Sequence, residues 1–227
     1  MRSLLWGSIL LLGLGGALSP RPGTAQPEPG AVVINEVLYA PSPSTNEFIE
    51  LYNRSGGPIA LDELAFADAN RSYEPVARTD TTVRDDTHIV LVRDPKAFTA
   101  AFPSTTFLTP DDWPALNNGG DTVYLRHAPS DTPLDSVPYD PSWGGGDRRP
   151  LERIDPGGPS ATDANFASSE SASRATPGTQ NSVSPPDTPP PPPPPADPSH
   201  IPHPRPVFTP APVSPAPPPP PAVLSAQ

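Results

Sequence analysis

Proline decides where this chain can fold. Of 41 prolines in 227 residues, 21 fall in the 44 residues from Ser184 to Gln227, with unbroken runs at 189–195 and 217–221. Proline fixes φ and donates no backbone hydrogen bond, so such a segment supports neither helix nor central strand. It is predicted to be a disordered, proline-rich tail of extended polyproline II character. Its scattered apolar residues, among them Ile201, Val207 and Phe208, bury too little to offset the entropy of ordering it.

The other end is equally distinctive. Arg2 precedes a mostly apolar run from Leu4 to Leu14, and small residues follow, with Gly23 and Ala25 at the positions a signal peptidase prefers. Residues 1–25 therefore read as a secretory signal peptide, with Gly15 to Ala17 as a second place for cleavage. The run is shorter than the ~20 residues a spanning helix needs, so no membrane span is expected after cleavage. Residues 26–30 read as a short linker, which leaves 31–183 for the fold and 184–227 for the tail. About 150 residues make one domain with a proper core.

Cleavage removes Arg2 and Arg21 and no acid, leaving 12 basic against 25 acidic side chains. Such a surface repels nucleic acid and anionic membranes. The absence of cysteine excludes disulfides, thiolate metal sites and cysteine nucleophiles, so an exported fold here must rest on packing alone.

Between the two ends the apolar pattern is short and two-fold: 31–39, 47–53, 59–68, 87–93, 121–127 and 134–139 are β-branched or aromatic segments. Turn residues such as Gly56-Gly57-Pro58 and Asn117-Asn118-Gly119-Gly120 separate them. Strands without alternating helices predict an all-β antiparallel sandwich. One short helix is expected at 94–102, where Asp94 can cap and Pro95 suits the first turn.

The segment NEFIELYN (46–53) raises the question of chemistry, because Glu47 and Glu50 lie close together in sequence. In a strand, residues three apart point to opposite faces, so these carboxylates cannot converge on one substrate atom. Ile49 and Leu51 are predicted to face the core and Glu50 the other side, where the strand carboxylates are expected to be solvated or hydrogen-bonded to nearby backbone, the alternative being that Glu50 meets Glu36 of a neighbouring strand as half of a cation site. Calcium is the cofactor such oxygen-rich sequences suggest, with Glu36, Glu50, Asp111 and Asp112 as candidates and Asp62-Glu63, Asp68 and Asp85-Asp86 as further acids. None has EF-hand spacing, and the default expectation is that turn acids are solvated and that no cofactor is bound. His88 and His127 stand at strand ends, and His200 and His203 in the tail. His88 is the candidate general base, but the motifs of serine hydrolases, zinc peptidases and P-loop enzymes are missing. Trp143, beside Gly144–Gly146 and the basic Arg148 and Arg149, is the candidate partner-binding loop, unless Trp143 packs over the sandwich end and the arginines neutralise nearby acids. Two N-x-S sequences, at Asn53 and Asn70, are read as turns.

Five stretches in order carry a family resemblance, 32–68, HIVLVRDPKAF, LNNGGDTVYL, LDSVPYD and LERIDP…NFASS…ATPGTQNS, and their most specific pieces are Asn35-Glu36, Glu50-Leu51-Tyr52-Asn53, Asn118-Gly119-Gly120-Asp121 and Pro177-Gly178-Thr179-Gln180-Asn181. From about Val32 to Ser182 the chain resembles a bacterial lamin-tail domain. The resemblance implies an immunoglobulin-like β-sandwich that works as a binding module rather than an enzyme, often on exported proteins and sometimes fused to hydrolases. One departure is Leu61-Asp62-Glu63-Leu64, where the family usually has a tryptophan and Leu64 is expected in its core place. The expected function is an exported, non-catalytic binding or structural module at the cell envelope or outside the cell, its partner a protein or polymer not implied by the sequence. The alternatives are an accessory domain of a secreted hydrolase and a calcium-stabilised adhesion module.

Overall fold

The computed structural model describes residues 26–44 and 46–186. The proposed signal peptide, and the tail from residue 187 with His200 and His203, lie outside the described residues. Among the described residues, eleven strands form a sandwich. A five-stranded sheet has the order β11 (Phe166–Ser168), β10 (Leu151–Arg153), β1 (Val32–Leu38), β2 (Phe48–Asn53), β7 (Thr87–Val92). A four-stranded sheet has the order β5 (Glu74–Pro75), β4 (Leu64–Ala67), β8 (Asp121–His127), β9 (Thr132–Tyr139), and β3 (Ile59–Ala60) pairs with β6 (Thr82–Val83). The named strand pairs are antiparallel.

Side-chain alternation explains the core. Ile49 and Leu51 of β2, Val123 and Leu125 of β8 and Val137 of β9 enter one apolar cluster between the sheets, as a period of two requires. Tyr39 and Tyr139 stack at one end with ring centroids 4.5 Å apart. A second cluster lies on the outer face of the five-stranded sheet, where Leu38, Phe48, Val90 and Val92 meet Phe98 of the helix α1 (Pro95–Ala101). Asp94 caps α1 by accepting from the Lys96 and Ala97 amides at 3.0 and 3.1 Å, as its sequence signature predicted. β1 is buried on both faces, as is β4 of the other sheet.

One predicted strand is broken. Segment 59–68 divides into β3, a 3-10 turn over Leu61–Glu63, and β4. Leu61 and Leu64 are both 1% exposed. Residues three apart cannot share a face of a strand, whereas in a 3-10 turn they do. Leu64 thus fills the expected core position. Strands β5, β6, β10 and β11 are two or three residues long, too short to show a period in the sequence.

The two sheets are tied by one guanidinium. Arg153 of β10 is fully buried; its Nη2 meets Asp135 Oδ2 of β9 at 2.7 Å, and its Nε donates to the Ile34 carbonyl at 2.8 Å. Asp135 Oδ2 also accepts from the Ile34 amide at 2.7 Å, so the pair serves both backbone groups of the residue where β1 bulges. Burial lowers the Arg153 pKa, and Asp135 opposes that shift.

Candidate functional site

The pairing registers place Glu36 opposite Glu152 on one side and opposite Glu50 on the other. Three glutamates therefore stand in a row across β10, β1 and β2 on the outer face of the sheet, each 0% exposed. Like charges directly across strands repel, and burying them costs more still. Something must cover and satisfy them.

The cover is the segment 175–183, which runs over the row as a strap. Its first turn, Thr176-Pro177-Gly178-Thr179, has proline at the second place and glycine at φ +84° at the third, closed by the Thr179 amide on the Thr176 carbonyl at 3.1 Å. That is the chemistry of a type II turn. It turns the Gly178 amide onto Glu50 Oε2 at 2.5 Å and the Thr176 amide onto Glu36 Oε1 at 3.1 Å. Farther along, the Ser182 hydroxyl and Val183 amide reach Glu152 Oε2 at 2.7 and 3.2 Å. Between these points Asn181 donates to the carbonyls of Asn35 and Arg153 at 3.0 and 2.8 Å and accepts from Asn35 Nδ2 at 3.0 Å.

The Thr176 hydroxyl stands between two of the three carboxyls. It lies 2.8 Å from Glu152 Oε1 and 3.3 Å from Glu36 Oε2, yet it has a single proton to give. Glu36 and Glu152 therefore compete for this one donor, and the shorter contact is to Glu152. Burial pushes the Glu36 pKa well above its ordinary value of 4.5, Glu50 and Glu152 push it further, and the Thr176 hydrogen bonds oppose the rise.

Glu50 Oε1 accepts from Asn35 Nδ2 at 2.9 Å and contacts His88 Nδ1 at 2.7 Å. A buried carboxylate on an imidazole is the orienting half of a nucleophile-activating site. Among the described residues the His88 ring has no hydroxyl partner; it lies against Tyr52, with centroids 4.7 Å apart. His88 thus supplies one more contact to the row.

Other candidates are dispersed. Glu47 points to the opposite side from Glu50 and accepts from Trp113 Nε1 at 2.7 Å; burial raises its pKa, and Trp113 and Arg93 counter the rise. Asp111 pairs with Arg78, and Asp112 accepts from the Trp113 amide at 2.8 Å, so neither joins Glu36 and Glu50. Asp85 accepts from the Gly56 amide at 2.8 Å, Asp86 from the Tyr52 hydroxyl, and Asp68 from the Asn70 amide at 2.9 Å. Among the described residues no group of three or more His, Asp or Glu side chains is placed to hold a metal ion. His127 is buried and contacts Ser130 Oγ at 2.7 Å and Glu63 at 3.4 Å. Asn53 is buried, its amide donating to the Gly57 and Arg84 carbonyls at 3.0 and 2.8 Å.

A model of the Lamin Tail Domain family matches residues 25–141, just over half of the chain. The chain belongs to the lamin tail domain family. No curated protein matches it. The matched stretch ends within the turn Pro141–Trp143, so β10, β11 and the strap lie beyond it. They are nonetheless integral to this lamin tail domain, because they supply two strands of one sheet, the buried Arg153 and every strap donor to the glutamate row. In the sequence, LERIDP and Pro177–Asn181 are the parts of the resemblance that lie beyond the matched stretch.

The loop after the matched stretch holds the candidate partner-binding residues. Trp143 is partly buried and packs on Phe166, with centroids 5.9 Å apart. Arg149 Nη1 donates to the Ser169 and Ser171 carbonyls at 2.7 and 3.0 Å. Arg148 is exposed, at φ +66°. Gly145, at φ +74°, lies so close to Tyr39 that a Cβ would stand 2.5 Å from its ring, while the Tyr39 hydroxyl donates to the Gly144 carbonyl at 2.7 Å. The loop is thus wrapped on the tyrosine stack, with Arg148 at its tip.

Proposed function

We propose that this lamin tail domain is an exported, non-catalytic binding or structural module, displayed at the cell envelope or outside the cell and held on a proline-rich spacer. The observation that carries the reading is the state of its buried carboxylates. Glu36, Glu50 and Glu152 have their oxygens engaged by donors of the chain itself, so the groups best suited to acid–base work serve the fold. Function then falls to the surface, and the loop that presents Arg148 is the place where a carboxylate-bearing partner would be met. The positive n-region, apolar run and small residues of 1–25 support export.

The test is fractionation followed by sedimentation. The protein is expected outside the cytoplasm, and purified 26–227 is expected to pellet with washed envelope fragments of the source cell, with Arg148→Glu reducing the pelleted share several-fold. Retention in the cytoplasm would refute export. A protein that stays in the supernatant, or an Arg148→Glu variant that pellets like the parent, would refute binding through this loop.

A further inference from the structure

We propose that Gln26 becomes the N-terminal residue of the exported protein and closes on itself into a pyroglutamate lactam. The inference rests on the export reading, which puts cleavage between Ala25 and Gln26. From Pro27 onward the chain is committed to the fold: Pro27 is buried, the Gly30 amide donates to the Leu134 carbonyl of β9 at 2.7 Å, and the Ala31 amide closes a turn on the Glu28 carbonyl at 2.9 Å. Gln26 itself is exposed. Its side chain makes one surface hydrogen bond, from Nε2 to Thr132 Oγ1 at 3.2 Å, and Thr132 keeps a second partner in Ser130 Oγ at 2.7 Å. The residue is therefore free to turn back on its own amine, while the chain behind it is anchored.

The reaction needs no co-reactant. Cleavage frees the α-amine, and this amine ordinarily titrates near 8, so a sizeable fraction is neutral and nucleophilic at neutral pH. Its nitrogen attacks Cδ of the same residue. The N–Cδ bond forms a five-membered ring, the Cδ–Nε2 bond breaks, the amine proton passes to the departing nitrogen, and ammonia leaves. Both reacting groups belong to one side chain and its own backbone, so the step gains the large effective molarity of an intramolecular closure. The product loses one positive charge and offers no free amine to an aminopeptidase.

Intact-mass measurement of the secreted full-length protein, after labelling of free α-amines, tests this. The expected mass is that of residues 26–227 less one ammonia, with no label at the N-terminus. The Gln26→Asn variant, whose closure would require a four-membered ring, is expected to keep its full mass and take the label. A protein that begins at Gln26 and takes the label overturns the cyclisation and leaves export standing. A protein that begins anywhere else, or keeps residues 1–25, overturns the cyclisation together with the assigned cleavage.

Discussion

The two faces of strand β2 are equally dry and are held by different physics. Toward the other sheet, Ile49 and Leu51 are 0% exposed among apolar neighbours; on the outer face Glu50 is also 0% exposed, among carboxylates and a strap of hydrogen-bond donors. Apolar packing is non-directional and tolerates exchange of similar shapes. A buried polar row is satisfied in one arrangement or it costs heavily. The inner face therefore supplies bulk stability, and the outer face fixes where the C-terminal strap lies.

The comparison can be broken most severely at Arg153, which ties the inner face to the opposite sheet. Arg153→Met keeps the bulk but strands the Asp135 carboxylate and the Ile34 carbonyl, and is expected to cost about 3–5 kcal/mol in urea unfolding. Leu91→Ala, a purely apolar loss at 0% exposure, is expected to cost about 2–5 kcal/mol. Thr176→Val removes the hydroxyl shared by Glu152 and Glu36 and should cost about 1–3 kcal/mol. Limited proteolysis would separate the last two: Thr176→Val should open cleavage near 176–183 first, whereas Leu91→Ala should loosen the domain as a whole.

A gentler change sharpens the contrast through pH. The Glu36 pKa is raised in the folded state, so its contribution is complete below about 4.5 and is lost as pH rises through the raised folded value. The protein should accordingly gain stability from this residue as pH falls from 7 toward 5, with Glu47 acting in the same direction. Glu36→Gln keeps an oxygen for the Thr176 amide and stays neutral throughout. It should be at least as stable as the parent at pH 7 and should flatten that pH dependence, as read from melting temperature. The smallest effect is expected at the surface, where Arg148→Ala should change stability by no more than about 0.5 kcal/mol.

The inner face was legible because its strands are short β-branched or aromatic segments set off by turn residues: 47–53, 87–93 and 121–127 appear as strands within a residue of the expected bounds, the last with clear alternation. The helix was legible from a cap, a proline and two phenylalanines. The opposite orientations of Glu47 and Glu50 followed from strand geometry, and the approach of Glu36 to Glu50 was foreseen. What filled the space beside them was not, because the donors come from Thr176, Gly178 and Ser182, more than 120 residues away from Glu50 in sequence. Glu152 and Arg153 are adjacent in a segment that reads as charged surface, yet both are fully buried. Only pairing of β10 with β1 sends one to each face, and a three-residue strand carries no periodic mark of that pairing.

The most direct test of the account is native-state hydrogen exchange at the Gly178 and Val183 amides, which donate to Glu50 and Glu152. If the strap is part of the cooperative unit, both should exchange only through the opening that also releases the amides of β1 and β2, with the same free energy and the same response to urea. Exchange at those two amides through a separate, low-energy opening, while β1 and β2 remain protected, would show that the strap is a loose addition and that the glutamate row does not hold it.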